Sequence, residues 1–112
     1  MSKRDLVIKS LIEINADINT LIQELSKYPW DSEPLITLSL RHVKNALYQY
    51  LQGNISALEL ENWANAVEMR DDIEYEYGNE KTISKVLSEL SNPVISQPID
   101  KDHIEEIINS LR

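Results

Sequence analysis

The chain has 112 residues, enough for one hydrophobic core without covalent staples. It has no cysteine, which excludes a disulfide framework and thiolate metal sites. No apolar run approaches the ~20 residues needed to span a bilayer, and Asp5, Lys9 and Glu13 interrupt any signal-peptide core, so a cytoplasmic location with no membrane contact is expected. The net charge of −8 lies entirely in residues 57–112, which hold thirteen acids against five bases, whereas residues 1–56 hold six of each. An acidic field of this kind repels phosphate backbones and draws in cationic partners.

Leu and Ile dominate the apolar residues, Phe is absent and Gly occurs twice, a composition that favours helices. Val7, Leu11, Ile14, Ile18, Leu21 and Leu25 follow one another at spacings of 4, 3, 4, 3 and 4, widened by Ile8, Ile12 and Ile22. That pattern predicts one continuous helix to about Lys27, capped at its start by Ser2 with Asp5. Pro29 then breaks the chain at Tyr28. A second helix is predicted from a Ser32 cap, with Pro34 in its first turn. Ile36, Leu40, Val43, Leu47 and Tyr50 face inward along it, and Gly53 ends it. Tyr48 is expected at the edge of that stripe, and Trp30 as a plug over one end of the fold.

Ser56 and Glu59 form a capping box, with Ile55 and Leu60 placed as a hydrophobic staple. The third helix they open carries Leu60, Trp63, Ala64 and Val67 inward and is predicted to reach about Tyr77, before Gly78. Ile73, Tyr75 and Tyr77 also alternate with acids, so an extended reading of residues 69–77 stays open. A fourth helix is predicted over Glu80–Ser91, capped by Asn79 and ended by Asn92-Pro93. A short extended connector, Val94 to Pro98, leads to a last helix capped by Asp100, with Ile99 and Ile104 as a second staple. The sum is an all-α fold: residues 1–112 as a single compact domain of about five helices with short connections.

The most unusual stretch is residues 59–80, with eight carboxylates and one base, Arg70. On a continuing helix Glu68, Asp72 and Glu76 would share one face, where like charges repel by a few tenths of a kcal/mol per pair. One reading is a solvated face. The other is a docking surface made of Glu68, Asp71, Asp72, Glu74, Tyr75, Glu76 and Tyr77, with Trp63 adding aromatic area.

The same carboxylates do not suit other chemistry. Asp71-Asp72-Ile73-Glu74 lacks the glycine turn of a calcium loop, and no Glu-x-x-His pair is present, so no metal or cofactor is expected. No phosphate loop or nucleophile motif accompanies His42 or His103, so no catalytic residue is assigned and the chain is expected not to be an enzyme. Helices two and three are spaced as in a helix-turn-helix, but Glu59, Glu61 and Glu68 on the would-be recognition helix exclude direct nucleic-acid binding.

The stretch from Ala46 to Glu76, chiefly the Gly53–Glu59 turn and the Trp63–Asp72 segment, resembles small helical bacterial proteins. Some proteins of that type act as immunity proteins in contact-dependent growth inhibition and related toxin systems. The resemblance implies an antitoxin-type role in which the acidic surface binds a basic partner, a nuclease toxin domain, with electrostatic steering speeding association. Two alternatives remain: a non-catalytic adaptor that takes a partner helix in an apolar groove, and, less favoured, a carboxylate-dependent hydrolase.

Overall fold

The computed structural model describes residues 2–29 and 33–111. Chain order is α1 (Lys3–Glu13), α2 (Ile18–Leu25), β1 (Ile36–Leu38), α3 (Leu40–Leu51), α4 (Ala57–Glu68), β2 (Ile73–Tyr75), α5 (Glu80–Ser91) and α6 (Lys101–Ser110). The described residues therefore form six helices and a two-stranded parallel sheet, which corrects the expectation of an all-α fold of five helices. The Trp30 plug and the Ser32 cap lie outside the described residues.

The first apolar stripe belongs to two helices. Ser2 caps α1 in a reciprocal box with Asp5, as expected. The helix then stops because Ile14 turns into the left-handed region, φ 51, and the Asn15 N–H reaches back to the Ser10 carbonyl at 3.2 Å. Asp17 opens α2 by accepting from the Thr20 N–H at 2.9 Å. Leu11, Ile18, Leu21 and Leu25 remain buried on both sides of the break. The spacing survives because both helices turn the same side inward.

The predicted second helix is shortened from its front. Ile36 and Leu38 are strand residues, paired with Ile73 and Tyr75, and Thr37 pairs with Glu74. β-branched Ile36 and Thr37 suit that pleated conformation. Ser39, and not Ser32, caps α3; its hydroxyl accepts from the His42 N–H, and its own N–H donates to His42 Nδ1 at 2.9 Å. Gly53 follows α3 with φ +81, a conformation that suits glycine.

Helix α4 begins as predicted, with Ser56 and Glu59 each bonded to the other's backbone and with Ile55 and Leu60 both buried. It ends at Glu68, not Tyr77. The following segment extends to form β2, so the alternating reading of Ile73 and Tyr75 holds and the helical one does not. Helices α5 and α6 occupy the predicted ranges; Asp100 caps α6 through the His103 N–H at 2.8 Å, while Asn79 makes no side-chain cap.

One cluster of buried apolar residues joins all eight elements. Its largest member is Trp63, fully enclosed, whose Nε1 donates to the Leu11 carbonyl at 2.8 Å. Trp63 therefore staples α4 to α1 and is not part of an aromatic contact surface.

Candidate partner-binding surface

The expected contact residues lie at the end of α4, in the turn to β2, and on β2 and the loop after it. They meet three different fates. Asp72 is 0% exposed. Its Oδ2 accepts from Arg4 Nη2 at 2.9 Å and from Arg70 Nη2 at 2.8 Å, and its Oδ1 accepts from Arg70 Nε at 2.9 Å. The same guanidiniums donate to the Pro29 carbonyl, at 2.7 Å from Arg4 and 2.9 Å from Arg70. The Asp72 carbonyl in turn accepts from the Leu35 N–H at 2.8 Å. Asp72 thus ties α1, the end of α2, the start of β1 and the β2 turn into one junction. It is removed from the expected contact surface. A buried carboxylate survives only with such full pairing.

Glu76 is a distant cap. Its carboxylate accepts from the Leu40 N–H at 3.0 Å and from Asn79 Nδ2 at 2.9 Å. Those bonds, the one from Leu40 first, hold its carboxyl below the usual glutamate range. The site is the N-terminus of α3, where the helix dipole favours an anion. Glu74 lies on the solvent face of the sheet and accepts from Thr37 Oγ1 at 3.0 Å, and Glu68 accepts from Ser91 Oγ at 3.0 Å. Tyr75 is half-buried, and burial, with Glu68 nearby, pushes its hydroxyl pKa up.

Asp71 and Tyr77 are the free members. Asp71 is exposed and makes no hydrogen bond or ion pair among the described residues, and Tyr77 is 95% exposed. A tyrosine left so open has no packing role in this chain. The surface that remains is therefore Glu68, Asp71, Glu74, Glu76 and Tyr77, with the edge of Tyr75. Arg4 and Arg70 are spent internally on Asp72, while the exposed Arg41 acts on Glu76 from the start of α3.

Sequence reasoning missed two features. The Arg4–Asp72–Arg70 junction spans 68 residues and carries no local pattern. A groove along α5, lined by Tyr75, Lys81, Ser84, Lys85, Ser88 and Ile95, was equally hidden. The expected edge position of Tyr48 and the partly buried Tyr50, whose hydroxyl donates to the Ile99 carbonyl at 3.4 Å, agree with the sequence. His103 packs beneath the 92–98 connector, with Nδ1 3.1 Å from the Pro98 carbonyl and Nε2 3.7 Å from Glu89. His42 belongs to the first turn of α3; burial first, then Arg41, lowers its pKa.

Among the described residues no group of three or more His, Cys, Asp or Glu side chains is disposed to hold a metal ion, and no helix is long and apolar enough to cross a membrane. Comparison with protein-family models, curated proteins and solved structures finds no match.

Proposed function

We propose that this chain is an immunity- or antitoxin-type protein that neutralises a basic nuclease toxin domain by stoichiometric binding. The observation that carries the reading is the pair of exposed acids Asp71 and Glu74 on the same segment as the open Tyr77, with the partly buried Glu76 between Glu74 and Tyr77 in sequence and Asp72 anchoring the segment internally. Anchoring matters because an interface already ordered before binding loses less conformational freedom on association. An exposed aromatic on a segment rich in acids suits a basic cleft, in which the ring supplies contact area and the acids supply steering.

The test is capture of the tagged chain from its native lysate, followed by assay of any retained polypeptide for RNase and DNase activity. A basic polypeptide held at equal stoichiometry, released by salt, and losing nuclease activity when the chain is added back supports the proposal. A retained acidic polypeptide, or a basic one with no nuclease activity, counts against it.

A second reading, a non-catalytic adaptor, draws support from Val94 and Ile95, both almost fully exposed beside the α5 groove. Binding in that case would be insensitive to salt, because apolar burial is only weakly screened.

A further inference from the structure

The sheet has a free edge. In a parallel pair, successive residues turn their backbone N–H and C=O groups to opposite sides. The Asp72 carbonyl accepts from β1 at Leu35 and Ile36, and the Glu76 N–H donates to the Leu38 carbonyl at 2.9 Å. With Thr37 in register with Glu74, residues 72, 74 and 76 turn their backbone groups toward β1. Ile73 and Tyr75 must turn theirs away. The Ile73 N–H is taken by the Arg70 carbonyl at 3.4 Å. The Ile73 carbonyl and both backbone groups of Tyr75 have no hydrogen-bond partner among the described residues. Tyr75 also lines the open groove along α5, as does Ile95, 85% exposed.

We propose that the free edge of β2, together with this groove, receives an extended segment of the partner as a third strand, with basic and apolar side chains alternating along it. The inference rests on the reading of a basic partner and adds how that partner is held. An unpaired strand edge is a template for another strand, and backbone hydrogen bonds supply the attraction. The alternation follows from the two faces of the sheet. Side chains of an added strand on the solvent face stand beside Glu74, where a cross-strand cation is favoured. Those on the other face enter the groove against Tyr75 and Ile95. Lys81 and Lys85 line that groove together with Glu80 and Glu89, so its charges offset one another and Tyr75 and Ile95 favour an apolar side chain there.

The experiment is amide NMR on the full chain titrated with the peptide acetyl-Lys-Val-Lys-Val-Lys-amide. Its controls are the Glu-Val counterpart and two versions N-methylated along one edge or the other. In the free chain the Tyr75 amide should exchange fast, while those of Glu74 and Glu76 are protected. Peptide should shift and protect the Tyr75 amide. Methylation of one edge should weaken binding roughly tenfold and of the other hardly at all, as expected for loss of hydrogen bonds on one side only. The Glu-Val peptide should bind several-fold more weakly, and Glu74→Lys should reverse that preference. Absence of binding, equal effects of the two methylated edges, or a Tyr75 amide already protected in the free chain overturns the proposal. Shifts confined to Asp71, Glu74 and Tyr77 overturn the added strand but leave the basic-partner reading standing. Strand addition that ignores peptide charge overturns the basic occupant, and the basic-partner reading with it.

Discussion

Replacing Asp72 with Asn should destabilise the fold far more than its small change in shape suggests. The carboxylate is fully enclosed, and Arg70 and Arg4 beside it keep side-chain exposures of only 8% and 19%. Asn offers one acceptor oxygen where the carboxylate offers two, and its amide would point donors at guanidinium donors. Two cations would then sit together without their counter-ion. Breaking a buried ion pair from one side costs about 3–5 kcal/mol. Against the total of roughly 5–15 kcal/mol for a domain, that is a large share. At about 4 °C per kcal/mol for a chain of this size, the melting temperature should fall by about 12–20 °C. Urea and thermal unfolding followed by circular dichroism measure the loss. Glu105→Gln is the control: its pair with Lys101, 3.9 Å apart, is exposed at both ends and should change stability by no more than about 0.5 kcal/mol. A loss below about 1 kcal/mol for Asp72→Asn, the range of surface pairs, would refute the reasoning.

Three further predictions concern particular contacts. Ser56→Ala removes the side-chain cap of α4 and should lower unfolding free energy by about 1 kcal/mol in urea titrations. Trp63→Phe loses the bond to the Leu11 carbonyl and leaves a void beneath α1, so a loss of about 2 kcal/mol is expected by the same assay. His42 has a depressed pKa in the folded state, and its Nδ1 accepts from Ser39 only while unprotonated. Its contribution is therefore full above the ordinary histidine range, about pH 6.5, and is lost as pH falls toward the lower folded value. In melts across that window His42→Gln should lose less stability than the wild type, and parallel curves would show that His42 is not the titrating group.

How much of this was legible in the sequence depended on how local the cause was. The boxes at Ser2 and Ser56, the Asp100 cap and the turn at Gly53 involve residues within a few positions of one another, and all occupy their predicted places. The break at Ile14 was masked because the 4-3 spacing runs on through it; the clue was the short polar Asn15-Ala16-Asp17, with Asp17 able to start a new helix. The strands were harder. Each has three residues, too few to establish a period, and each exists only because the other pairs with it across two intervening helices. Once β2 is extended, the supposed helical stripe of Glu68, Asp72 and Glu76 no longer exists. Asp72 turns to the arginines, Glu76 to the start of α3 and Glu68 to Ser91. Local charge density marked the acidic surface, but only tertiary pairing could show that one of its acids is internal.

The central claim, that a basic partner docks on the exposed acids and Tyr77 of the 71–77 segment, is tested most directly by the affinity for the captured partner as a function of salt. The wild type should be compared with a chain carrying Asp71→Lys, Glu74→Lys and Tyr77→Ala, all exposed positions whose change should leave the fold intact. The account predicts that wild-type affinity falls steeply with rising salt, that the variant binds roughly a hundredfold more weakly at low salt, and that its salt dependence is much flatter. Equal affinity and equal salt dependence for the two chains would contradict it and move the interface elsewhere.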